Sequence, residues 1–421
     1  MDRQTYEMYL DILRFELIPA MGCTEPIAIA LTAAKAKAYM NHPVKSVSVC
    51  VSGNIIKNVK SVMVPNTGGL CGIKAAAAAG IAAGDAEKEL EVLAGITAEQ
   101  QKDIAAFMEQ TEITVSESQS EYILDIGITL KSDSHYVYAR TVKRHTGLCL
   151  IEVDGERVFE KDVEETEKKV DHSVLSIEGI LEFTENVDLR EVSDILRRQI
   201  DYNTAIAKEG LTGKYGAAIG RTLLMSYGNT VHNRAKAWAA AGSDARMSGC
   251  ELPVIINSGS GNQGMTASLP VIVYAKELGV SRTLLYKALL VSNLTAIHLK
   301  TGIGCLSAYC GAISAGCGAA AGVMYLHGGG LKEISHTIVN ALAINSGVVC
   351  DGAKASCAAK IASAVESGLL GMQMYMHGKQ FYGGDGIVAK GVENTIRNVG
   401  KLAQNGMAET DREIIRIMMK E

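Results

Sequence analysis

The 421-residue sequence opens "MDRQTYEMYLDILRFELIPAMG", with no cationic stretch followed by an apolar run, so no secretory leader is expected. It has no basic cluster and a net charge of -5, which argues against nucleic acid as a partner and reads as solubility. No segment has P-loop spacing, and nucleotide binding is not expected. No lysine stands in a convincing Schiff-base setting beside a phosphate cup, and pyridoxal phosphate is therefore not expected either. Charge itself is missing between Lys300 and Lys332, where no Asp, Glu, Lys or Arg occurs. Residues 301 to 326 are long enough to span a bilayer, but Gly, Ala, Ser, Thr and Cys make a weak insertion signal, and a buried bundle with no membrane contact is expected instead. The rest of the composition, 48% hydrophobic and 21% charged, is that of an ordinary globular protein long enough for two or three domains. Ten cysteines without a leader point to a reducing cytoplasm, where cysteine clusters more often mean metal or catalysis than disulfides.

The fold class read from the pattern is α+β. Residues 2 to 18 carry apolar positions at helical spacing, and Pro19 stops that helix. A second helix is expected from about Pro26 to Met40 with Thr24 as N-cap, which sets Cys23, Thr24 and Glu25 at a helix N-terminus. There a thiol's pKa is lowered and a substrate carboxylate can be received. Residues 44 to 51 alternate as a strand with Val47, Val49 and Val51 on one face. "VPNTGGLCGIKAAAAAG" reads as a glycine turn opening an Ala-rich helix, with Lys74 a weak candidate for a charge partner or base. From 111 to 160 four strand-like runs follow, the last with Asp154-Gly155 as a hairpin turn, so the N-terminal domain is expected to hold an antiparallel sheet. The charge run "EKDVEETEKKVDH" marks a boundary, giving an α+β domain over 1–170 and a mostly helical, Gly/Ala-rich domain over 171–421.

In the second half, Ser258-Gly259-Ser260-Gly261-Asn262-Gln263-Gly264 feeds directly into a helix. Such a turn cradles a carboxylate or phosphate on backbone N–H groups. The glycine-rich "FYGGDGIV" is a candidate cover for a cleft. His298, His327, His336 and His377, taken singly, read as core or surface histidines. The segment 301–357 holds five cysteines, Cys305, Cys310, Cys317, Cys350 and Cys357, and cysteine can also pack as a small hydrophobe. If one helix held both Cys350 and Cys357, their α-carbons would lie about 10.5 Å apart, long for one compact centre. Cys350 is therefore placed in the loop before a helix and Cys357 in its first turns, so that the positive helix end faces any thiolate-ligated group.

Four segments, "MGCTEP", "SGCELPVIINSGSGNQG", "LSAYCGAISAGCGAAAG" and "VVCDGAKASC", together resemble the L-cysteine desulfidase family, whose wider relatives are the iron-sulfur L-serine dehydratases. The resemblance runs over nearly the whole chain. It implies a 4Fe-4S cluster held by three cysteines with one iron open to a small amino-acid substrate. Carried over, the ligands are Cys310, Cys350 and Cys357, with Cys23 as a fourth active-site cysteine. Cys23 in place of Cys357 as third ligand stays open. The resemblance also implies that Ser258, Ser260 and Asn262 orient the amino acid. Thr24 and Glu25, at their helix N-terminus, read either as plain capping residues or as substrate-binding ones, and Lys354, between two of the candidate ligands, reads as a partner for cluster charge.

The implied reaction is loss of sulfide from L-cysteine, leaving aminoacrylate that hydrolyses to pyruvate and ammonia, with Cys23 as first candidate for the base. L-serine deamination is the alternative in the same class. A non-catalytic metal-binding or redox-sensing protein is the alternative outside it. The Gly/Ala-rich helices are compatible with a homodimer.

Overall fold

The structure is a computed structural model that describes residues 1–163, 170–304 and 307–419. Cys305 and residues 164–169 of the charge run lie outside the described residues. The chain begins with α1 (Arg3–Glu16), capped by the Asp2 carboxylate, which accepts the Thr5 N–H at 2.9 Å. There follow β1 (Pro19–Met21), α2 (Thr24–Lys37), β2 (Ser46–Val51), α3 (Gly53–Val59), α4 (Gly72–Ala83) and α5 (Ala98–Gln110). The strands β3 (Glu112–Glu117), β4 (Asp125–Lys131), β5 (Tyr136–Val142), β6 (Leu148–Val153) and β7 (Glu156–Glu160) come next.

Six of these strands form one sheet in the order β3-β2-β4-β5-β6-β7. The antiparallel expectation holds for four of its five pairings. The exception is β2–β3, which is parallel in register Ser46↔Glu112, because three helices lie between those strands and give the chain room to cross over. Val47, Val49 and Val51 are buried with Ile126, Ile128 and Leu130, so the period-2 pattern does mark the covered face. The covering helices are α2 and α4. Asp154 and Gly155 both have positive φ, as a tight hairpin between β6 and β7 needs.

Beyond residue 170 the elements are α6 (Ile177–Asn186), α7 (Leu189–Gly210), α8 (Ile219–Tyr227), α9 (Val231–Met247), β8 (Pro253–Ile255), α10 (Gly261–Leu278), α11 (Arg282–Thr301), α12 (Ala312–Leu326), α13 (Leu331–Ile344), α14 (Cys357–Met376), α15 (Val392–Lys401) and α16 (Ala408–Met419). Small residues let these helices approach closely, and of the uncharged stretch Thr301 closes α11 and residues 312–326 form α12. No helix among the described residues is long and apolar enough to cross a membrane. The two halves share one continuous apolar core, in which Tyr9 of α1 stacks on Phe183 of α6 at 5.1 Å. β1 pairs antiparallel with β8, Pro19 opposite Ile255, joining segments more than 230 residues apart.

Asp244 is fully buried in α9. One carboxylate oxygen accepts the Gly220 N–H at 3.1 Å, while Oδ1 has no partner among the described residues. Burial raises its pKa to about 6. The folded chain therefore holds a proton that the unfolded chain, with an Asp near 3.8, gives up, and stability is lost as pH rises through about 6. The full loss is on the order of 3 kcal/mol, at about 1.4 kcal/mol per pH unit. Asp244→Asn, which cannot ionise, should unfold at a higher temperature than wild type at pH 8 and at nearly the same temperature at pH 4. A difference that does not grow with pH would refute this reading.

Candidate active site

The β1–β8 ribbon brings the turn at Cys23 against the turn at Ser258. Thr24 does not cap α2, as its sequence position suggests. Cys23 occupies the N-cap position without a side-chain cap bond, and the Thr24 hydroxyl reaches across to donate to the Gly259 carbonyl at 3.0 Å. A second contact joins the two cysteine segments: an isolated bridge between Tyr309 and Val349. In it the Cys310 N–H donates to the Val348 carbonyl at 2.9 Å and the Cys350 N–H to that of Ala308 at 2.6 Å. Cys357 is the first residue of α14, with Cys350 in the loop before it, as the sequence predicts.

These turns wall a cleft of about 340 Å³. All nine residues singled out in the sequence lie on it: Cys23, Thr24, Glu25, Ser258, Ser260, Asn262, Cys310, Cys350 and Cys357. Cys317 is instead packed inside α12, where burial pushes its thiol up to about 12. Lys74 is exposed and does not reach the cleft, and "FYGGDGIV" is fastened to Asn340 and Asn398 rather than over it. Lys354 pairs with Asp351, not with the cysteines. Against the burial that would raise it, Lys354 and Lys360 hold Asp351 down to about 2. The cations on the cleft are Lys57, Lys143, Arg144, Arg246 and Lys300.

The Cys310 thiol donates to the Cys350 sulfur, which lowers Cys350. Lys57, the Gly352 N–H and Lys300 add to that effect against burial, while Cys310 moves up. Cys23 departs from its expectation. Burial, reinforced by the Glu25 carboxylate, pushes its thiol well above the usual range, so the helix end does not make it a thiolate here. Cys23 Sγ donates to Glu25 Oε2 at 3.1 Å, and Asn58 donates to Oε1 at 3.1 Å. Burial acts to raise Glu25, but the His145 ring, the Cys23 hydrogen bond and Arg246 together hold it below its ordinary value.

His145 is the residue that the sequence did not reveal. It sits in the turn between β5 and β6, after Lys143 in the left-handed region at φ 62°, and its buried Nε2 has no partner among the described residues. Burial lowers its pKa, with Glu25 opposing and Arg144 and Arg246 adding to the drop, so the ring is neutral at neutral pH. Opposite it, the Arg246 guanidinium lies against the Ser258–Gln263 turn and donates to Asn262 Oδ1 at 3.2 Å, with Nε left unpartnered among the described residues. A Cβ at position 261 would stand 2.4 Å from that Nε, which is why a glycine is needed there. Ser260 caps α10 by accepting the Gln263 N–H, and the Ser258 hydroxyl donates to Asn257 Oδ1 at 2.9 Å.

Among the described residues, no three His, Cys, Asp or Glu side chains converge on a single point closely enough to hold one metal ion. Cys310, Cys350 and Cys357 instead border a shared volume, with Cys23 on the same cleft. One thiol to each of several irons is what a cluster asks, and this donor set fits it.

One cleft thus joins several thiols, an imidazole whose Nε2 has no partner among the described residues, and a guanidinium-backed Gly/Ser turn. The family described as serine dehydratase alpha chain matches residues 87–416, and the chain belongs to that family. This supports a lyase-type enzyme. The chain is also 57% identical to a UPF0597 protein of Desulfitobacterium hafniense, over 100% of this chain and 99% of that one. It is 44% identical to one of Treponema denticola over the whole of both, and 36% identical to one of Clostridium perfringens over 99% and 98%.

Proposed function

We propose that the chain is an iron-sulfur lyase that removes sulfide from L-cysteine, giving hydrogen sulfide, pyruvate and ammonia. The observation that carries this reading is the meeting of Cys310 and Cys350 across the Tyr309–Val349 bridge, on one buried cleft with Cys357, Cys23 and the His145 imidazole, whose Nε2 has no partner among the described residues. Cys310, Cys350 and Cys357 would hold a 4Fe-4S cluster. When bound, that cluster supplies a Lewis acid for the leaving sulfur, through an iron without a cysteine ligand.

The protein's own groups divide the remaining work. Arg246, with the Asn262 amide and the Ser260 hydroxyl, receives the substrate carboxylate beside the Ser258 turn, since a guanidinium beside a helix N-terminus favours that charge. Glu25 is the buried negative group for the substrate ammonium. His145 Nε2 takes the α-proton. The electron pair of that C–H bond becomes the Cα=Cβ bond as the Cβ–S bond breaks and the pair leaves with sulfur. Aminoacrylate then hydrolyses to pyruvate and ammonia. Burial of His145 and Glu25 keeps water from competing for the proton.

The family description favours L-serine deamination as the second reading, with a hydroxyl in place of the thiol. The test is anaerobic purification, then iron and acid-labile sulfide per chain, then sulfide and ammonia release from L-cysteine and L-serine. About four of each atom and a higher kcat/KM for cysteine are expected. A higher value for serine would transfer the assignment to the deaminase. Bound zinc or no metal after reconstitution, without turnover, would leave a non-catalytic metal-binding protein.

A further inference from the structure

Lys57 lies on the cleft although its side chain is only 1% exposed, and its ammonium pairs with Asp411. Asp411 belongs to α16, the last helix, which contributes nothing to the cleft lining. Lys57 also touches the cysteine loop directly: a Cβ at Gly352, whose φ is +95°, would stand 2.4 Å from the Lys57 carbonyl and 3.6 Å from Lys57 Cγ. The next residue, Asn58, holds Glu25. The seven-residue α3 thus sets Lys57 against Gly352 of the cysteine loop and the next side chain, Asn58, on Glu25, and α16 fastens it from behind. Besides the ion pair, Lys60 donates to the Met418 carbonyl at 2.6 Å, and Ile415 abuts Gly53.

α16 is itself held lightly, for none of residues 408–418 is fully buried. A helix with so little buried surface opens more readily than the core. When it opens, the Lys57 ammonium loses its carboxylate and is free to swing into the cleft.

We infer that Asp411 is a positioning residue: from outside the cleft it holds Lys57, and with it the stretch of α3 packed on Gly352 of the cysteine loop, so the competence of the site depends on docking of the C-terminal helix. The catalytic consequence rests on the proposed lyase reading, whereas the geometry of the pair does not. In the loaded enzyme, Asp411→Asn should lower kcat/KM on the order of 10- to 100-fold, the usual cost of losing a group that orients a metal site's neighbours. Asp411→Glu should recover most of it.

The decisive comparison is Lys57→Met with Lys57→Met/Asp411→Asn. If Asp411 acts through Lys57, the double variant is no worse than Lys57→Met alone; fold-losses that multiply would overturn the proposal. The double variant removes both charges, so it also answers the question if Asp411→Asn alone fails to fold. A readout independent of turnover is iodoacetamide labelling of metal-free protein, with Cys350 and Cys23 quantified by mass spectrometry. Asp411→Asn should change the Cys350 rate several-fold relative to Cys23 and should have no such effect in the Lys57→Met background. An unchanged Cys350 rate would refute the positioning role. If wild type shows no lyase activity, the proposed function falls while the labelling result still decides the role of Asp411.

Discussion

Replacing Cys310 by Ala will remove iron and lyase activity together from anaerobically reconstituted protein. Iron should fall from about four per chain to near zero and turnover to the assay background, because a cubane left with two of its three protein thiolates loses both ligation and charge balance. Cys317→Ala is the matched control: it also removes a cysteine sulfur of the same segment, but one buried in α12 and off the cleft, and iron content and turnover should stay near wild type. The third ligand follows from the same series. If Cys357 is the ligand, Cys357→Ala copies Cys310→Ala while Cys23→Ala keeps its iron; the reverse pattern assigns Cys23. Full activity of Cys310→Ala without iron would sink the cluster mechanism.

The sequence revealed what depends on local pattern and missed what depends on chain segments meeting. Val47, Val49 and Val51 alternate over six residues, enough to mark a buried face. Gly352 and the Ser346-Gly347 turn punctuate the approach to α14, so the placement of Cys350 before the helix and Cys357 at its start was readable. β1 and β8 have three residues each, too short for a period to show, yet their pairing brings Cys23 to the Ser258 turn. Thr24 has the right chemistry for an N-cap and loses that role because a tertiary partner, the Gly259 carbonyl, takes its hydroxyl. The parallel β2–β3 pairing was hidden because alternation carries no information on strand direction.

The other large effect is expected at the residue the pattern could not show. His145→Gln should lower kcat on the order of 10²- to 10⁴-fold, the range that a positioned general base contributes. Glutamine is close enough in size to occupy the turn between β5 and β6, so iron content and folding should be retained, which separates this loss from that of Cys310→Ala. The pH profile makes the test specific. Burial lowers the pKa of His145 below 6.5, so the ring is in its base form at neutral pH and is protonated only as the solution is acidified. In wild type kcat/KM should therefore be flat near pH 7 and fall on the acid side, through a midpoint below 6.5. That limb should vanish in His145→Gln, because the group whose protonation stops the reaction has been removed. Glu25 modulates the midpoint: its carboxylate opposes the drop in the histidine's pKa, so Glu25→Gln should move the acid limb to lower pH. A His145→Gln enzyme with wild-type turnover, or one that keeps the same acid limb, would return the proton-transfer role to another group on the cleft. Cys23 would then have to act from a thiol that burial and Glu25 hold protonated, and its base form would appear only in an alkaline limb.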